Sequence, residues 1–302
     1  MTSVRVLPVI AEALATGRGV VALESSVLAH GLPIPANAEA ARRMVDGVQG
    51  AGAIAAITAV VAGQPTMGLT NEELNRFLTR TGVAKVSSRD LGTVMARGGD
   101  GATTVAASLT LCRAAGVSVF ATGGIGGVHH EPSYDESADL IELARTPVIV
   151  VCAGAKSILD LPATVERLET LGITVVGYQT DDFPGFFFAH TGIPVPIRAE
   201  SVKEVVAIFR AQRTLSHPGA LLVVQQPPAE KALARAEVDM AVARALQDAR
   251  SVGMRGSATT PYLLAAVDKA TSGRSLSVNL SLLEGNARLA GAIAAELGGS
   301  DS

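Results

Sequence analysis

A lysine that follows an apolar, strand-like run is the residue whose placement points most directly to chemistry. Lys156, in the segment CAGAKSILD, comes directly after the apolar run 147–152. A cation near the end of a buried strand is costly unless another group uses or pairs it. Because desolvation disfavours the charged form of an amine, Lys156 would be a nucleophile for a carbonyl carbon. The glycine-rich segment 121–129 (ATGGIGGVH) also follows a strand-like run, so one pocket shared by the two segments is expected, and with it an enzyme.

Carboxylates supply two further candidates. Glu24 directly follows the apolar run 20–23, at a strand end where ligands approach in open parallel sheets. There it could carry a proton for acid catalysis, or it could be a helix-capping or hydrogen-bonding acid. Asp135 and Asp139 stand four residues apart on one face of a predicted helix and could hold one hard divalent cation with waters. Acidic residues are also favoured at helix N-termini, and the spacing alone favours that explanation.

Phosphate-binding candidates are less specific. The segment 98–105 (GGDGATTV) is predicted to open a helix whose first-turn N–H groups and threonine hydroxyls could hold an anion. Lys85, in KVSSRDL, is a second cationic candidate, although a solvated lysine is the ordinary explanation for such a residue. The glycine run 123–127 lacks the G-x-G-x-x-G spacing, and the sequence contains no G-x-x-x-x-G-K-[ST], H-x-x-x-H or G-x-S-x-G. These absences argue against a dinucleotide site at that run, a P-loop, a zinc site and a serine hydrolase.

Composition limits the class of protein. Of the 302 residues, 48% are hydrophobic and 18% charged, and the net charge is −3. With no run of basic residues, neither nucleic acid nor an anionic membrane is an expected partner. Apolar stretches end well before 18 residues, so no membrane-spanning helix is predicted, and the N-terminus does not read as a signal peptide. Cys112 and Cys152 lie in apolar segments and are expected to be reduced core residues, which favours a cytoplasmic location.

Strand-like runs alternate with helical patterns, which predicts crossover connections and a parallel sheet. We therefore expect an α/β fold, with a three-layer α/β/α arrangement around a largely parallel central sheet, a helical C-terminal portion and a single catalytic domain over residues 1–302. The segment 181–196, which holds four of the seven phenylalanines, could be a loop over the active site, an interface loop or a packed crossover connection. The expected strands are 19–23, 54–61, 117–122, 147–153, 173–178 and 220–225, and the expected helices are 37–49, 71–78, 103–115, 135–144, 163–171, 201–212, 229–249, 261–271 and 282–297.

Nine segments taken together resemble one family. They are VALESSVLAHGLPIPAN, KVSSRDL, GATTVAASL, FATGGIGGVHH, SADLIELA, VVCAGAKSILDLPATVERLETLGI, GYQTDDFPGFF, TPYLLAAV and SVNLSLLEGNARLAGAIA, in that order. On these motifs the sequence resembles the pseudouridine-5′-phosphate glycosidases over nearly its whole length. The resemblance implies reversible cleavage of the C–C glycosidic bond of pseudouridine 5′-phosphate to ribose 5-phosphate and uracil. It also implies a cytoplasmic homotrimer that uses one divalent cation per subunit, typically Mn²⁺.

The resemblance assigns roles residue by residue. Lys156 matches the family's nucleophile, which forms a Schiff-base-type adduct with ribose, and Glu24 matches the proton donor. The residues themselves also fit two other functions: a Schiff-base lyase or aldolase acting on another phosphosugar, and a catalytically silent sugar-phosphate sensor. The remaining matches are Lys85, Val105, Ser137, Ala138, Asp139 and Asn279 for substrate and Asp135 for the metal.

Overall fold

A mostly parallel β-sheet flanked by helices forms the centre of the protein, as seen in a computed structural model that describes residues 4–132, 134–254 and 259–299. The central strands consist almost entirely of Val, Ile, Leu and Ala and are buried on both faces, as the strands of a doubly covered parallel sheet must be. The expected α/β fold is therefore confirmed. The strands are β1 (Arg5–Val6), β2 (Val20–Leu23), β3 (Ile54–Val61), β4 (Gln64–Met67), β5 (Val83–Val86), β6 (Asp100–Thr103), β7 (Val119–Ala121), β8 (Ile149–Cys152), β9 (Thr174–Tyr178), β10 (Ile197–Ala199) and β11 (Leu221–Val224).

Helices connect most of these strands and then continue as a helical C-terminal portion, as predicted. Among the described residues no helix is long and apolar enough to cross a membrane. The helices are α1 (Pro8–Ala15), α2 (Ala36–Gly50), α3 (Asn71–Thr79), α4 (Leu91–Ala96), α5 (Val105–Ala115), α6 (Ala138–Arg145), α7 (Leu161–Thr170), α8 (Val202–Thr214), α9 (Arg235–Ser251), α10 (Thr259–Ala270) and α11 (Arg274–Gly299).

The strand order in the sheet is β1-β4-β3-β2-β7-β8-β11-β9-β10, with β6 paired to β3 and β5 paired to β6. Neighbouring strands run parallel except where β3 meets β4 and β6. Strands β2, β7 and β8 lie side by side near the middle, so their carboxyl ends open at the same edge of the sheet. Each of the three is followed by a segment that the sequence singled out: Glu24 after β2, the glycine run after β7 and Lys156 after β8.

Two expected helices next to the candidate site begin later in the chain than the pattern suggested, as does α9, which begins at Arg235 rather than at residue 229. The helix expected to open within 98–105 begins at Val105, because Asp100–Thr103 instead pairs with β3 and β5 as a strand. The helix expected over 135–144 begins at Ala138, with Ser137 as its N-cap. Asp135 therefore precedes the helix, and the prediction that Asp135 and Asp139 share one helical face is wrong.

The long C-terminal helix α11 packs against α2 and against β2, β7 and β8. Its close approach to α2 requires a glycine: a Cβ at Gly291 would lie 2.8 Å from the backbone oxygen of Val48. The helix begins eight residues earlier than its apolar pattern suggested, and the additional turns include Asn279. Polar side chains of α11 are thereby brought to the edge of the sheet where β7 and β8 end.

Candidate active site

A cavity of about 300 Å³ lies where β2, β7 and β8 end. Positions as distant in sequence as Glu24 and Asn279 border it, since the parallel strands bring their carboxyl ends together and α11 crosses beside them. The structure thus brings together all of the site residues expected from the sequence, which are Glu24, Lys85, Val105, Asp135, Ser137, Ala138, Asp139, Lys156 and Asn279.

Glu24 is the first residue after β2 and is only 6% exposed. Both carboxylate oxygens accept hydrogen bonds from hydroxyl groups: Oε2 from Ser26 at 2.6 Å and Oε1 from Thr122 at 2.5 Å. These bonds hold the carboxylate at the cavity wall in a fixed orientation. They go to two hydroxyls rather than to the backbone of a helix, so the structure gives no support to a capping role for Glu24.

Lys156 lies on a loop that continues alongside the glycine run. The run 123–127, called the glycine loop below, pairs with the segment after β8 through Ile125 and Ala155. The Ile125 N–H donates to the carbonyl of Gly154 at 3.0 Å, and the Lys156 N–H donates to the Ile125 carbonyl at 3.1 Å. The Lys156 Nζ donates to the carbonyl of Gly124 at 2.8 Å, and the side chain is half-buried. The nucleophile candidate is thus held by the glycine loop itself.

The glycine loop allows other groups to approach its backbone very closely. A Cβ at Gly124 would lie 2.7 Å from the Phe186 ring, and one at Gly126 would lie 2.3 Å from the Ser137 hydroxyl. Such distances are below van der Waals contact, so only glycine fits at these positions. The absence of a dinucleotide fingerprint here is consistent with this role, since the glycines serve close packing.

The phenylalanine-rich segment is a packed connection between β9 and β10. Phe183, Phe186, Phe187 and Phe188 are all buried in the main hydrophobic core. Only Phe186 of the four borders the cavity, where its ring lies against Gly124. The structure therefore supports a packed crossover connection, which also reaches the active-site cavity through Phe186.

Asp139 and Asp135 have different environments. Asp139 is 5% exposed, and its carboxylate accepts the backbone N–H of Ala106 with Oδ1 at 2.9 Å and that of Gly126 with Oδ2 at 2.8 Å. Asp135 is half-buried and borders the cavity from the segment before α6. Across the described ranges no cluster of three or more His, Cys, Asp or Glu side chains is arranged to hold a metal ion. Both oxygens of Asp139 are thus engaged by backbone N–H groups, whereas Asp135 lies at the cavity wall.

Charges of both signs face one another across the cavity. Burial lowers the pKa of Lys85 most, the nearby Lys156 ammonium lowers it further, and Glu24 and Asp139 oppose that change. Burial also lowers the pKa of His30, with a second contribution from the Lys85 charge. The pKa of His129 is lowered by burial and by Lys156 against the opposing effect of Asp135. The two lysines therefore belong to one electrostatic site, and both histidines are neutral at neutral pH.

Val105 and Asn279 complete the walls. Val105 opens α5, whose first turn is capped by Thr104, and one of the first-turn N–H groups is already used by Asp139. Asn279 on α11 is 7% exposed, and its amide oxygen has no hydrogen-bond partner among the described residues. A buried acceptor without a partner is costly, so Asn279 is suited to receive a donor from a bound ligand.

Three residues beside the site, Ser25, Thr58 and Ser108, were not identified from the sequence, and the hydroxyl of Thr103, expected as an anion ligand, bonds to them instead. Four buried hydroxyls lie directly beneath the site and bond to one another: Thr58 contacts Thr103 and Ser108 at 2.8 Å each, and Ser25 Oγ accepts the Thr103 N–H at 2.9 Å. They join the residue after Glu24 to the turn that precedes α5. Thr122 was likewise not singled out by its own chemistry. The sequence signal for this hydroxyl network is the clustering of small hydroxyl residues next to Glu24 and in the segment 103–104. That clustering follows neither a helical nor a strand periodicity.

The protein is thus an α/β protein with a lysine-containing cavity at the carboxyl ends of its parallel strands. Residues 9–296 match the family described as Indigoidine synthase A like protein, and the chain belongs to that family. A relative from Gemmatimonas aurantiaca named pseudouridine-5′-phosphate glycosidase is 60% identical over 286 residues, which cover 95% of this chain and 94% of the relative. One of the same name from Chloroflexus aurantiacus is 48% identical, covering 97% and 98% of the two chains.

Two solved structures share the fold. A prealnumycin C-glycosynthase in complex with ribulose 5-phosphate superposes with a TM-score of 0.91 at 38% identity, covering 98% of this chain and 97% of the other. An indigoidine synthase A-like protein from Thermotoga maritima gives a TM-score of 0.88 at 37% identity and covers 94% of each chain. The family resemblance inferred from the nine sequence motifs is confirmed by these matches.

Proposed function

We propose that this chain catalyses the reversible cleavage of the C–C glycosidic bond of pseudouridine 5′-phosphate to ribose 5-phosphate and uracil. The observation that carries the proposal is the placement of Glu24, Lys85 and Lys156 on the walls of one cavity. An acid, a phosphate-binding cation and an amine nucleophile are the groups that this reaction needs. Curated relatives that bear the name of this activity cover nearly the whole chain, which supports the same assignment.

In the proposed reaction, protonated Glu24 donates its proton to the ribose ring oxygen. The C1′–O4′ bond breaks, and the Lys156 Nζ forms a bond to C1′. The secondary ammonium so formed gives a proton to the Glu24 carboxylate, which passes it to uracil C5 as the C1′–C5 bond breaks, and the freed amine lone pair forms a C1′=N iminium. Water adds to the iminium and releases ribose 5-phosphate and the free lysine. A C–C glycoside has no oxygen leaving group, so a carboxylate pair alone would not suffice for this cleavage.

Substrate binding is assigned to the remaining walls. Lys85 and the start of α5 at Val105 would hold the phosphate and sugar, since a cation and a helix N-terminus both favour an anion. Ser137 and Ala138 border the cavity at the start of α6, and Asp139 fixes the backbone beside them. The acceptor of Asn279 would receive a hydrogen-bond donor of the substrate. These roles agree with those implied by the family motifs.

We also propose one Mn²⁺ per subunit, held through Asp135. A single protein carboxylate with water and substrate oxygens is a common arrangement for small hard cations. When bound, the ion would neutralise and orient a phosphate or uracil oxygen. The proposed assembly is a homotrimer, for which light scattering would give three times the monomer mass. The buried, unpaired Cys112 and Cys152 are compatible with the proposed cytoplasmic location.

The test is to incubate the protein with ribose 5-phosphate, uracil and Mn²⁺, with and without borohydride. Formation of pseudouridine 5′-phosphate, together with a reduced pentose-phosphate adduct mapped to Lys156 by mass spectrometry, is the expected result. An adduct without the nucleotide would replace the proposal with a Schiff-base lyase acting on another phosphosugar. Binding of ribose 5-phosphate with neither adduct nor product would indicate a sensor.

A further inference from the structure

Asn286 on α11 makes a set of hydrogen bonds that no role assigned so far explains. The side chain is 1% exposed, and its Nδ2 donates to the carbonyl of Thr122 at 2.8 Å and to that of Gly123 at 3.2 Å. The two carbonyls belong to the turn where the chain leaves β7 and enters the glycine loop. One amide group thus fixes the beginning of that loop from a helix more than 160 residues away in sequence.

The turn held by Asn286 contacts both proposed catalytic residues. The Thr122 hydroxyl donates to Glu24 Oε1 at 2.5 Å, and the Gly124 carbonyl accepts from Lys156 Nζ at 2.8 Å. A displacement of this turn would therefore move the acid and the nucleophile together. Glu24 and Lys156 approach the cavity from different strands, β2 and β8, and the turn after β7 lies between them.

Gln225 fixes the orientation of the Asn286 amide. Its Nε2 donates to Asn286 Oδ1 at 2.7 Å, which directs the Asn286 amino group toward the two carbonyls. The backbone N–H of Gln225 donates to the carbonyl of Cys152 at 3.0 Å, at the end of the strand that leads to Lys156. Gln225 therefore ties the asparagine to the same strand that carries the nucleophile.

We infer that Asn286, oriented by Gln225, is a positioning residue that aligns Glu24 and Lys156 through the turn at Thr122–Gly124. The inference rests on the proposed function for the identity of the reacting groups. It assigns no substrate contact to Asn286. The competing explanation is that Asn286 serves only to satisfy two buried carbonyls and contributes to stability alone.

Two substitutions at Gln225 separate these explanations without altering Asn286. In Gln225→Glu an ionised carboxylate cannot donate to Asn286 Oδ1 and instead accepts from Nδ2, which turns the amide and places its oxygen against the Thr122 and Gly123 carbonyls. In Gln225→Met the partner is removed and only the two carbonyls still hold the amide, so its orientation is weakened but not reversed. For uracil release we expect kcat to fall by about 10- to 100-fold in Gln225→Glu and by a clearly smaller factor, less than about tenfold, in Gln225→Met, with KM changed less than about threefold in both.

Asn286→Asp supplies a pH readout that a purely structural role would not produce. A protonated aspartic acid can donate one hydrogen bond to the Thr122 carbonyl, whereas the ionised form would repel both carbonyls. The loss of kcat relative to the unsubstituted protein is therefore expected to deepen as the pH rises. Ser281→Ala is the matched control, since Ser281 is a buried polar residue of α11 that bonds to Lys231 and Ser277 away from the glycine loop. It should lower the melting temperature while leaving kcat within about twofold.

Equal kcat values in Gln225→Glu and Gln225→Met, or a pH-independent kcat ratio for folded Asn286→Asp, would overturn the positioning role. A second readout does not depend on the substrate. Because the Gly124 carbonyl holds a proton of Lys156, displacement of the turn should raise the rate at which formaldehyde and borohydride methylate Lys156, by at least about threefold in Gln225→Glu. If the unsubstituted protein is inactive but the methylation rate of Lys156 still rises in Gln225→Glu, the proposed glycosidase function is refuted and the inference about the turn is retained. An unchanged methylation rate in Gln225→Glu would refute the inference.

Discussion

The carboxylate of Asp139 holds the backbone of Gly126, whose N–H donates to Oδ2 at 2.8 Å, while Oδ1 accepts the Ala106 N–H. One side chain thereby joins the glycine loop to the first turn of α5. The family motif assigns Asp139 to a group of three substrate-contacting residues. The structure shows that both of its oxygens already accept a backbone hydrogen bond, so its contribution to binding would come in large part from the geometry it imposes on the loop and the helix.

Asp139→Asn should therefore damage both stability and activity. The substituted amide has one acceptor oxygen, so one of the two N–H groups would face an amino group and lose its partner. We expect a destabilisation of about 1–3 kcal/mol and a fall in kcat/KM of at least about tenfold. Thermal unfolding and uracil release measure these effects. Asp46→Asn, at an exposed ion pair with Arg42 on α2, is the control and should change neither. Full activity of Asp139→Asn would show that the bridge is dispensable.

Gly126→Ala tests the close approach of the glycine loop to α6. The new Cβ would lie 2.3 Å from Ser137 Oγ and 2.8 Å from Asp139 Oδ2, so the loop must move away from both. We expect a melting temperature several degrees lower, about 1–3 kcal/mol of overpacking, and a large loss of kcat. Gly92→Ala in α4 has open space around the added Cβ and should be neutral or slightly stabilising. Similar activities for the two variants would contradict the assigned packing role.

Lys156→Ala should abolish turnover while leaving the fold intact. Removal of the amine prevents the covalent adduct, and we expect kcat to fall at least about 1,000-fold. The melting temperature should change little, because the Lys156 side chain is half-buried and, within the described part of the chain, makes one hydrogen bond, to Gly124. Lys203→Ala, at an exposed position of α8, is the matched control. Appreciable cleavage by folded Lys156→Ala would disprove the covalent mechanism.

Lys85 should impose a pH dependence on substrate binding. Burial and the Lys156 charge lower its pKa, so the ammonium is lost at a lower pH than in an ordinary lysine. We expect KM for pseudouridine 5′-phosphate to rise with pH through that range, because the neutral amine no longer attracts the phosphate. Lys85→Arg keeps its charge and should flatten the alkaline rise even where KM itself is higher. A KM profile identical in the two proteins would remove Lys85 from phosphate binding.

The lowered pKa of Lys85 also makes the free energy of unfolding depend on pH. Between the lowered pKa of Lys85 and its ordinary value, the unfolded chain binds more protons at this residue than the folded chain does. The contribution of Lys85 to the free energy of unfolding therefore increases with pH across that window. Denaturant unfolding at several alkaline pH values measures it, and Lys85→Met should lack that contribution. An equal pH slope in both proteins would contradict it.

Asp135→Asn is expected to weaken the response to Mn²⁺. The neutral amide is a poorer ligand for a hard cation, so the Mn²⁺ concentration for half-maximal activity should rise at least about tenfold. Isothermal titration of Mn²⁺ without substrate gives a readout independent of turnover. Glu136→Gln is the neighbouring control, because Glu136 pairs with Arg167 at 2.9 Å and should not act as a ligand. Unchanged Mn²⁺ binding in Asp135→Asn would exclude it as the metal site.

Site residues that directly follow an apolar strand could be predicted from the sequence more readily than site residues that come from other parts of the fold. Glu24 and Lys156 were identifiable because β2 and β8 are apolar runs with an obvious end. The pairing of Asp135 with Asp139 failed because Ser137 caps the helix and starts it after Asp135. Thr122 and Asn286 could not be found by any local pattern, since the first acts on Glu24 and the second on Thr122 across the fold.

The strands show the same division. The six long apolar runs were identified, whereas β1, β4, β5, β6 and β10 were not. Those five have two to four residues each, and β5 places the charged Lys85 in a strand whose neighbouring Ala84 is exposed. Each of the five contains a charged residue, a proline or a glycine, so it forms no apolar run and takes its conformation from pairing with distant segments, which a local pattern does not contain.

The contact of Gly124 with Phe186 also limits how this family can acquire new substrates. Any side chain at Gly124 would enter the aromatic ring, so an accepted change on that wall requires simultaneous substitutions in two distant segments. Substitution is less restricted on α10, where the side chains of Thr260, Pro261 and Leu264 line the cavity. Substitutions that change substrate preference, by natural selection or in the laboratory, should therefore accumulate on α10 while the glycine loop stays constant.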